Sequence, residues 1–255
     1  MRLHFKTSGQ GRAVILLHGL FGSADNWHHI ALWLAEHFHV YAVDQRNHGQ
    51  SPHSDEMNYP LMAADVEKFF IARGIQSAFV IGHSMGGKTA MQFALQFPNR
   101  VERLVIADMA PRAYASAHEK IIAALLALDL SKFQAREQIE TALEPEIPKL
   151  VLRRFLLKNL SRDSAGGFIW KINLRGLSGN YFHLRQPVSA LVPFAKPTLF
   201  IRGGKSNYIN DADEPLIRGL FPQSEIKTIA EAGHWVHADK PEEFLRLVLN
   251  FLQPV

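Results

Sequence analysis

Apolar residues in this chain gather in short runs rich in valine and isoleucine, separated by longer stretches whose apolar positions recur at helical spacing. Six runs predict strands, at 13–18, 40–44, 78–82, 104–108, 198–202 and 225–229. None alternates apolar with polar residues as a strand with one wet face does, so both faces of each are expected to be buried. Helices are predicted at 26–36, 60–73, 88–97, 216–220 and 241–252. Strands alternating with helices predict an α/β protein, a mostly parallel central sheet flanked by helices.

The rhythm stops after Pro111 and resumes near Lys196. Residues 112–195 read as an inserted helical lid over a core built from 1–111 and 196–255. Ser116 and Glu119 stand at capping-box spacing ahead of Ile121, Ile122, Leu125, Leu126 and Leu128, which predicts the first lid helix. Gly166-Gly167 then precedes the short alternating run Trp170, Ile172, Leu174. The insertion holds twelve Lys or Arg against seven Asp or Glu, while the remainder carries 16 against 17, so the lid accounts for the net charge of +4. Solvated side chains on exposed helices are the simpler reading of that charge, and attraction of an anionic acyl carrier such as acyl-coenzyme A is the sharper one.

A length of 255 residues suits one large α/β core, and 47% hydrophobic with 20% charged residues excludes a disordered or collagen-like chain. With no cysteine there is no disulfide framework, thiol nucleophile or cysteine zinc site. The mild basicity suggests no nucleic-acid partner. No run of about 18 apolar residues predicts a membrane span, and Met1 to Gln10 do not read as a secretory signal, so the expected compartment is the cytoplasm.

The chemistry concentrates in Gly82-His83-Ser84-Met85-Gly86-Gly87-Lys88-Thr89, which follows a predicted strand and opens a predicted helix. Gly82-x-Ser84-x-Gly86 fits a nucleophile elbow, a sharp turn that exposes a serine hydroxyl while the helix start aims amides at developing negative charge. The same residues also fit a phosphate-binding loop, Gly82-x-x-x-x-Gly87-Lys88-Thr89, with Asp108 in the place of a magnesium-holding aspartate.

Three further features belong to the elbow reading and are unexplained by the nucleotide one. His18-Gly19-Leu20-Phe21-Gly22 follows a strand and can supply an oxyanion-hole amide, assigned to Leu20 beside that of Met85; His18 itself reads as a structural hydrogen-bonder. Gly233-His234-Trp235 lies past the last strand, in the Ser, acid, His order of such a triad, and His234 reads as the base while His237 reads as packing or capping. The usual place for the acid, after the penultimate predicted strand, holds Ser206. Asp108, at the end of an earlier strand, becomes the preferred acid, with Asp211 and Asp213 as alternatives. Lys88 reads as facing the helix surface or a neighbouring carboxylate, and Arg46 and His48 as ties between loops. Phe21, Met85, Met109, Phe168, Trp170 and Trp235 are possible pocket linings.

With these motifs in order, the chain resembles the α/β-hydrolase-fold serine hydrolases over nearly its whole length. Arg46-Asn47-His48-Gly49, the elbow, Asp108-x-Ala110-Pro111 and Gly233-His234-Trp235-Val236-His237-Ala238 resemble more narrowly a group of bacterial esterases, YbfF and its relatives. That resemblance implies hydrolysis of esters or thioesters of small to medium acyl groups, supports Asp108 as the acid, and implies no metal or organic cofactor. A serine at the elbow argues against dehalogenases and epoxide hydrolases, which need an aspartate nucleophile. The competing classes are a nucleotide-binding P-loop protein and a non-catalytic receptor or interaction module on the same fold.

Overall fold

The six apolar runs do form strands, and a seventh joins them. In chain order the elements of the first half are β1 (Phe5–Ser8), β2 (Ala13–Leu17), α1 (His28–Leu34), β3 (His39–Val43), α2 (Tyr59–Arg73), β4 (Ala78–His83), α3 (Met85–Gln96) and β5 (Val101–Ala107). An insertion follows, with α4 (Glu119–Ala127), α5 (Arg136–Ala142), α6 (Leu150–Leu156), β6 (Leu160–Arg162), β7 (Phe168–Trp170) and α7 (Leu174–Arg185). The chain then returns through β8 (Thr198–Gly203), α8 (Glu214–Leu220), β9 (Ser224–Ile229), α9 (Val236–Asp239) and α10 (Pro241–Leu252). The structure, a computed structural model, describes residues 1–253.

The main sheet has seven strands in the order β1-β3-β2-β4-β5-β8-β9, parallel except for β1, which pairs antiparallel with β3. Alternate residues of the central strands face opposite layers. Val14 and Leu16 meet Trp27, Ile30, Phe244 and Val248 from α10 and the segment around α1. Ile15 and Leu17 face the layer that contains Val66 and Phe70 of α2, Ala90 and Phe93 of α3, and Ile217 of α8. The continuous apolar runs thus have the physical cause expected of them, burial on both faces.

Two strands depart from that expectation. β1 is a four-residue edge strand, Phe-Lys-Thr-Ser, too short and polar to stand out as an apolar run. β9, at the opposite edge, leaves Glu225, Lys227 and Thr228 exposed, while Ile226 and Ile229 pack into the two apolar layers.

The insertion is mostly helical, but β6 and β7 pair as an antiparallel hairpin with Leu160 opposite Trp170. The predicted capping box is absent. His118 precedes α4 without a side-chain cap, and its amide, like that of Ala117, donates to the Tyr181 hydroxyl instead. A third apolar cluster joins the insertion to the core, with Ile122, Leu125, Leu156, Leu177 and Tyr181 packing with Phe21, Met57, Tyr59 and Met85.

Candidate active site

Parallel strands with β2, β4, β5, β8 and β9 side by side bring five strand ends to one edge of the sheet, where the following loops meet. At the end of β4 the chain turns directly into α3 through Ser84, whose backbone sits at φ 54 and ψ −118. A non-glycine residue there costs of order 1–3 kcal/mol and persists only when its surroundings hold it. The flanking glycines permit the bend by close packing: a Cβ on Gly82 would lie 2.2 Å from the Gly86 carbonyl oxygen, and one on Gly86 2.2 Å from that of Leu17.

Ser84 Oγ lies 2.9 Å from His234 Nε2, and His234 Nδ1 lies 2.8 Å from Asp108 Oδ2. Asp108 is fully buried at the end of β5, also in a left-handed conformation at φ 50. Its Oδ1 accepts from the Gly203 amide at 2.9 Å, and its Oδ2 also accepts from the Ser206 hydroxyl. The carboxylate therefore takes the proton on Nδ1 as a hydrogen bond, leaving Nε2 to accept from the serine. Asp211 and Asp213 take no part: Asp211 pairs with Arg202 at 2.6 Å and Asp213 with Arg112 at 2.9 Å.

Three residues hold His234 or its partners that the sequence did not single out for that task. The Tyr208 ring stacks on the imidazole, centroids 3.7 Å apart and planes 17° from parallel. His83 Nε2 donates to the His234 carbonyl oxygen at 2.8 Å, and burial, with His237 and His234 nearby, pushes the His83 pKa well down, so it stays neutral. Ser206, standing where an acid was expected, instead binds the acid supplied by β5. Its position after a strand end was the signal available for that role.

The loop after β2 approaches Ser84 from the other side. His18 Nδ1 donates to the Gly19 carbonyl oxygen at 2.8 Å and Nε2 accepts from the Gln45 amide at 3.0 Å, which fixes the loop's course. The amides of Leu20 and Met85 make no hydrogen bond among the described residues, and both residues border a cavity with Ser84. His48 ties the same loops, accepting from the Phe21 amide at 3.3 Å, and Arg46 binds Asp65 at 2.7 Å. His237 packs, as read, with its ring stacked on Trp27 at 4.4 Å.

Ser84 stands between two cavities. One, of about 280 Å³, runs past Met85 and Met109 to Lys88, Tyr114 and Arg185. The other, of about 310 Å³, is bordered by Phe21, His234 and Trp235. Phe168 and Trp170 border neither and face a separate surface depression beside α4. Lys88 departs most from expectation. It faces neither solvent nor a carboxylate, but is buried with Nζ donating to the Gln186 carbonyl oxygen at 2.6 Å. Its ammonium thus binds the carbonyl that follows α7.

The geometry accords with the sequence comparisons. A model of the alpha/beta hydrolase fold family matches residues 12–241. The chain belongs to this family. It is 39% identical over 248 residues to the sn-1-specific diacylglycerol lipase ABHD11 of Mus musculus, covering 94% of this chain and 80% of that one. It is 37% identical over 240 residues to esterase YbfF of Escherichia coli (strain K12), covering 94% and 92%. A solved marine microorganism esterase superposes with a TM-score of 0.96 at 44% identity, covering 98% of this chain and 99% of that one. This α/β hydrolase is thus of the esterase and lipase kind.

Proposed function

We propose that the protein is a serine hydrolase of carboxylic esters or thioesters with small to medium acyl groups, acting through an acyl-enzyme on Ser84. The observation that carries this reading is the unbroken hydrogen-bonded line from the Ser84 hydroxyl through His234 to the buried Asp108 carboxylate. In the first half-reaction His234 takes the Ser84 proton as Oγ attacks the carbonyl carbon. The same imidazole then gives that proton to the departing alkoxide or thiolate. In the second, His234 takes a proton from water, which attacks the acyl carbon, and returns it to Ser84 as the acid leaves. The free amides of Leu20 and Met85 receive the negative oxygen of each tetrahedral intermediate, where one lost donor costs about 3–4 kcal/mol. Residues 112–195 act as the lid that closes the cavities. The cycle calls for no metal or organic cofactor.

The test combines a chain-length panel of acyl esters and acyl thioesters with fluorophosphonate labelling. Hydrolysis and labelling are both expected to vanish in Ser84→Ala. Label retained in that variant would overturn the assignment of the nucleophile.

A further inference from the structure

The two cavities have different chemistry, and the imidazole tells them apart. His234 must protonate the leaving group, and it borders the second cavity but not the first. On the proposed hydrolase reading, the leaving alcohol or thiol therefore points into the second cavity and the acyl arm into the first. The far part of that acyl cavity is not what a plain hydrocarbon requires. Lys88, Arg112 and Arg185 all border it, together with the rings of Tyr59 and Tyr114.

Two of these three groups, Lys88 and Arg185, are short of counter-charge. Lys88 is 1% exposed, forms no salt bridge among the described residues, and has one hydrogen bond, to the Gln186 carbonyl oxygen. Its ammonium lies 5.5 Å from the ring centre of Tyr59 and 4.8 Å from that of Tyr114. Burial first, and the nearby Arg112 second, push its pKa down to about 7. Arg112 has a close carboxylate in Asp213 at 2.9 Å. Arg185 is half-buried; its one carboxylate among the described residues is the exposed Glu119 at 4.0 Å, the rings of Tyr181 and Phe182 lie 5.7 and 5.8 Å away, and its Nε is shielded from water with no hydrogen-bond partner among the described residues. Burial thus leaves Lys88 close to losing its proton, and an anion placed beside it would hold the ammonium charged and complete the site.

We propose that the acyl cavity is built for an acyl group that itself ends in a carboxylate, the half-ester or half-thioester of a dicarboxylic acid, with Lys88 and Arg185 as its recognition residues. The carboxylate supplies the anion the cavity lacks, and the methylene chain lies against Met85 and Met109 on the way to Ser84.

The experiment measures kcat/KM for p-nitrophenyl hemiglutarate and hemiadipate against the neutral p-nitrophenyl butyrate and valerate, in the parent protein, Arg185→Gln and Lys88→Met. Hydrogen bonds to charged groups of this strength predict a preference of about 10- to 100-fold for the carboxylate-bearing esters in the parent. The ratio is expected to fall toward one in both variants, and a ratio cancels any general loss of activity. A parent ratio at or below one, or a ratio unmoved in Arg185→Gln, overturns the proposal. Should Lys88→Met fail to fold, Arg185→Gln and competitive inhibition of the parent by glutarate still decide: inhibition by glutarate no stronger than by butyramide counts against it. Failure of all four esters would instead sink the hydrolase reading itself, and neutral hydrolysis without a carboxylate preference would sink only this one.

Discussion

Asp108→Asn isolates the role of one proton. Asparagine tolerates the left-handed backbone at φ 50 and nearly matches aspartate in volume, so the fold should survive where alanine would add strain and a hole. The Gly203 amide donates to Oδ1, so the new side chain must turn its carbonyl there and its NH2 toward His234 and Ser206. The Ser206 hydroxyl can rotate to accept; the imidazole Nδ1–H cannot. The ring then shifts its proton to Nε2, facing a serine from which it can no longer accept one. The flipped amide, which would keep the working tautomer, sets two donors against each other in a buried place at a cost of about 1–3 kcal/mol, leaving roughly a tenth to a hundredth of molecules competent. Loss of the negative charge facing the transient imidazolium removes more. The expected total is a fall of about 10³–10⁴ in kcat, or roughly 4–5.5 kcal/mol, in line with the wrong-tautomer aspartate variant of a serine protease. Steady-state hydrolysis of p-nitrophenyl butyrate measures it, with thermal unfolding alongside. Turnover within tenfold of the parent, in a variant that unfolds at the same temperature, would refute the reasoning; Asp211→Asn should have no such effect.

Tyr208→Ala should lower kcat about 2- to 10-fold with little change in fold, since stacking of the kind seen on His234 is worth about 0.5–1.5 kcal/mol; an unchanged kcat would deny it a positioning role. Gly86→Ala should prevent folding or cost several kcal/mol in a urea titration, because its Cβ would press to 2.2 Å from the Leu17 carbonyl oxygen. Burial lowers the pKa of His48 and His237 to about 3 and of His118 to about 4. The unfolded chain therefore binds more protons between pH 6.5 and about 3, so their contribution is intact above pH 6.5 and is lost as the pH falls through that window. Urea midpoints at pH 7.5, 5.5 and 4.5 should fall in that order, and a midpoint that rose on acidification would contradict the burial of these rings in neutral form.

Much of this molecule was legible in local pattern. Valine-rich runs could be read as buried strands because burial on both faces leaves no room for polar alternation. The Gly82-x-Ser84-x-Gly86 spacing reads as a turn because each glycine is pressed against backbone. His234 could be found because a loop past the last strand must end at the same sheet edge as the serine. Where a feature depended on what covers an element from outside, the pattern failed: the exposed residues of β9, the short edge strand β1, and the uncapped start of α4, where the preceding Ala117 and His118 amides turn to Tyr181.

Local pattern could prefer Asp108 for its place at a strand end but could not exclude Asp211 or Asp213, since each lies between Ser84 and His234 in the chain. Pairing of β5 with β8 decides it by setting Asp108 against the Gly203 amide and beneath the imidazole, while the other two turn to arginines. Lys88 makes the same point. Its position in the motif admits a phosphate loop, a solvent-facing helix or a surface ion pair. Only the tertiary structure buries the ammonium, beside the rings of Tyr59 and Tyr114, and gives it the Gln186 carbonyl in place of a carboxylate. Residue type and spacing determine which chemistry is available to a chain. Which groups meet, and which charges are left without partners, is set by contacts between segments about a hundred residues apart, and those exist only once the layers have packed.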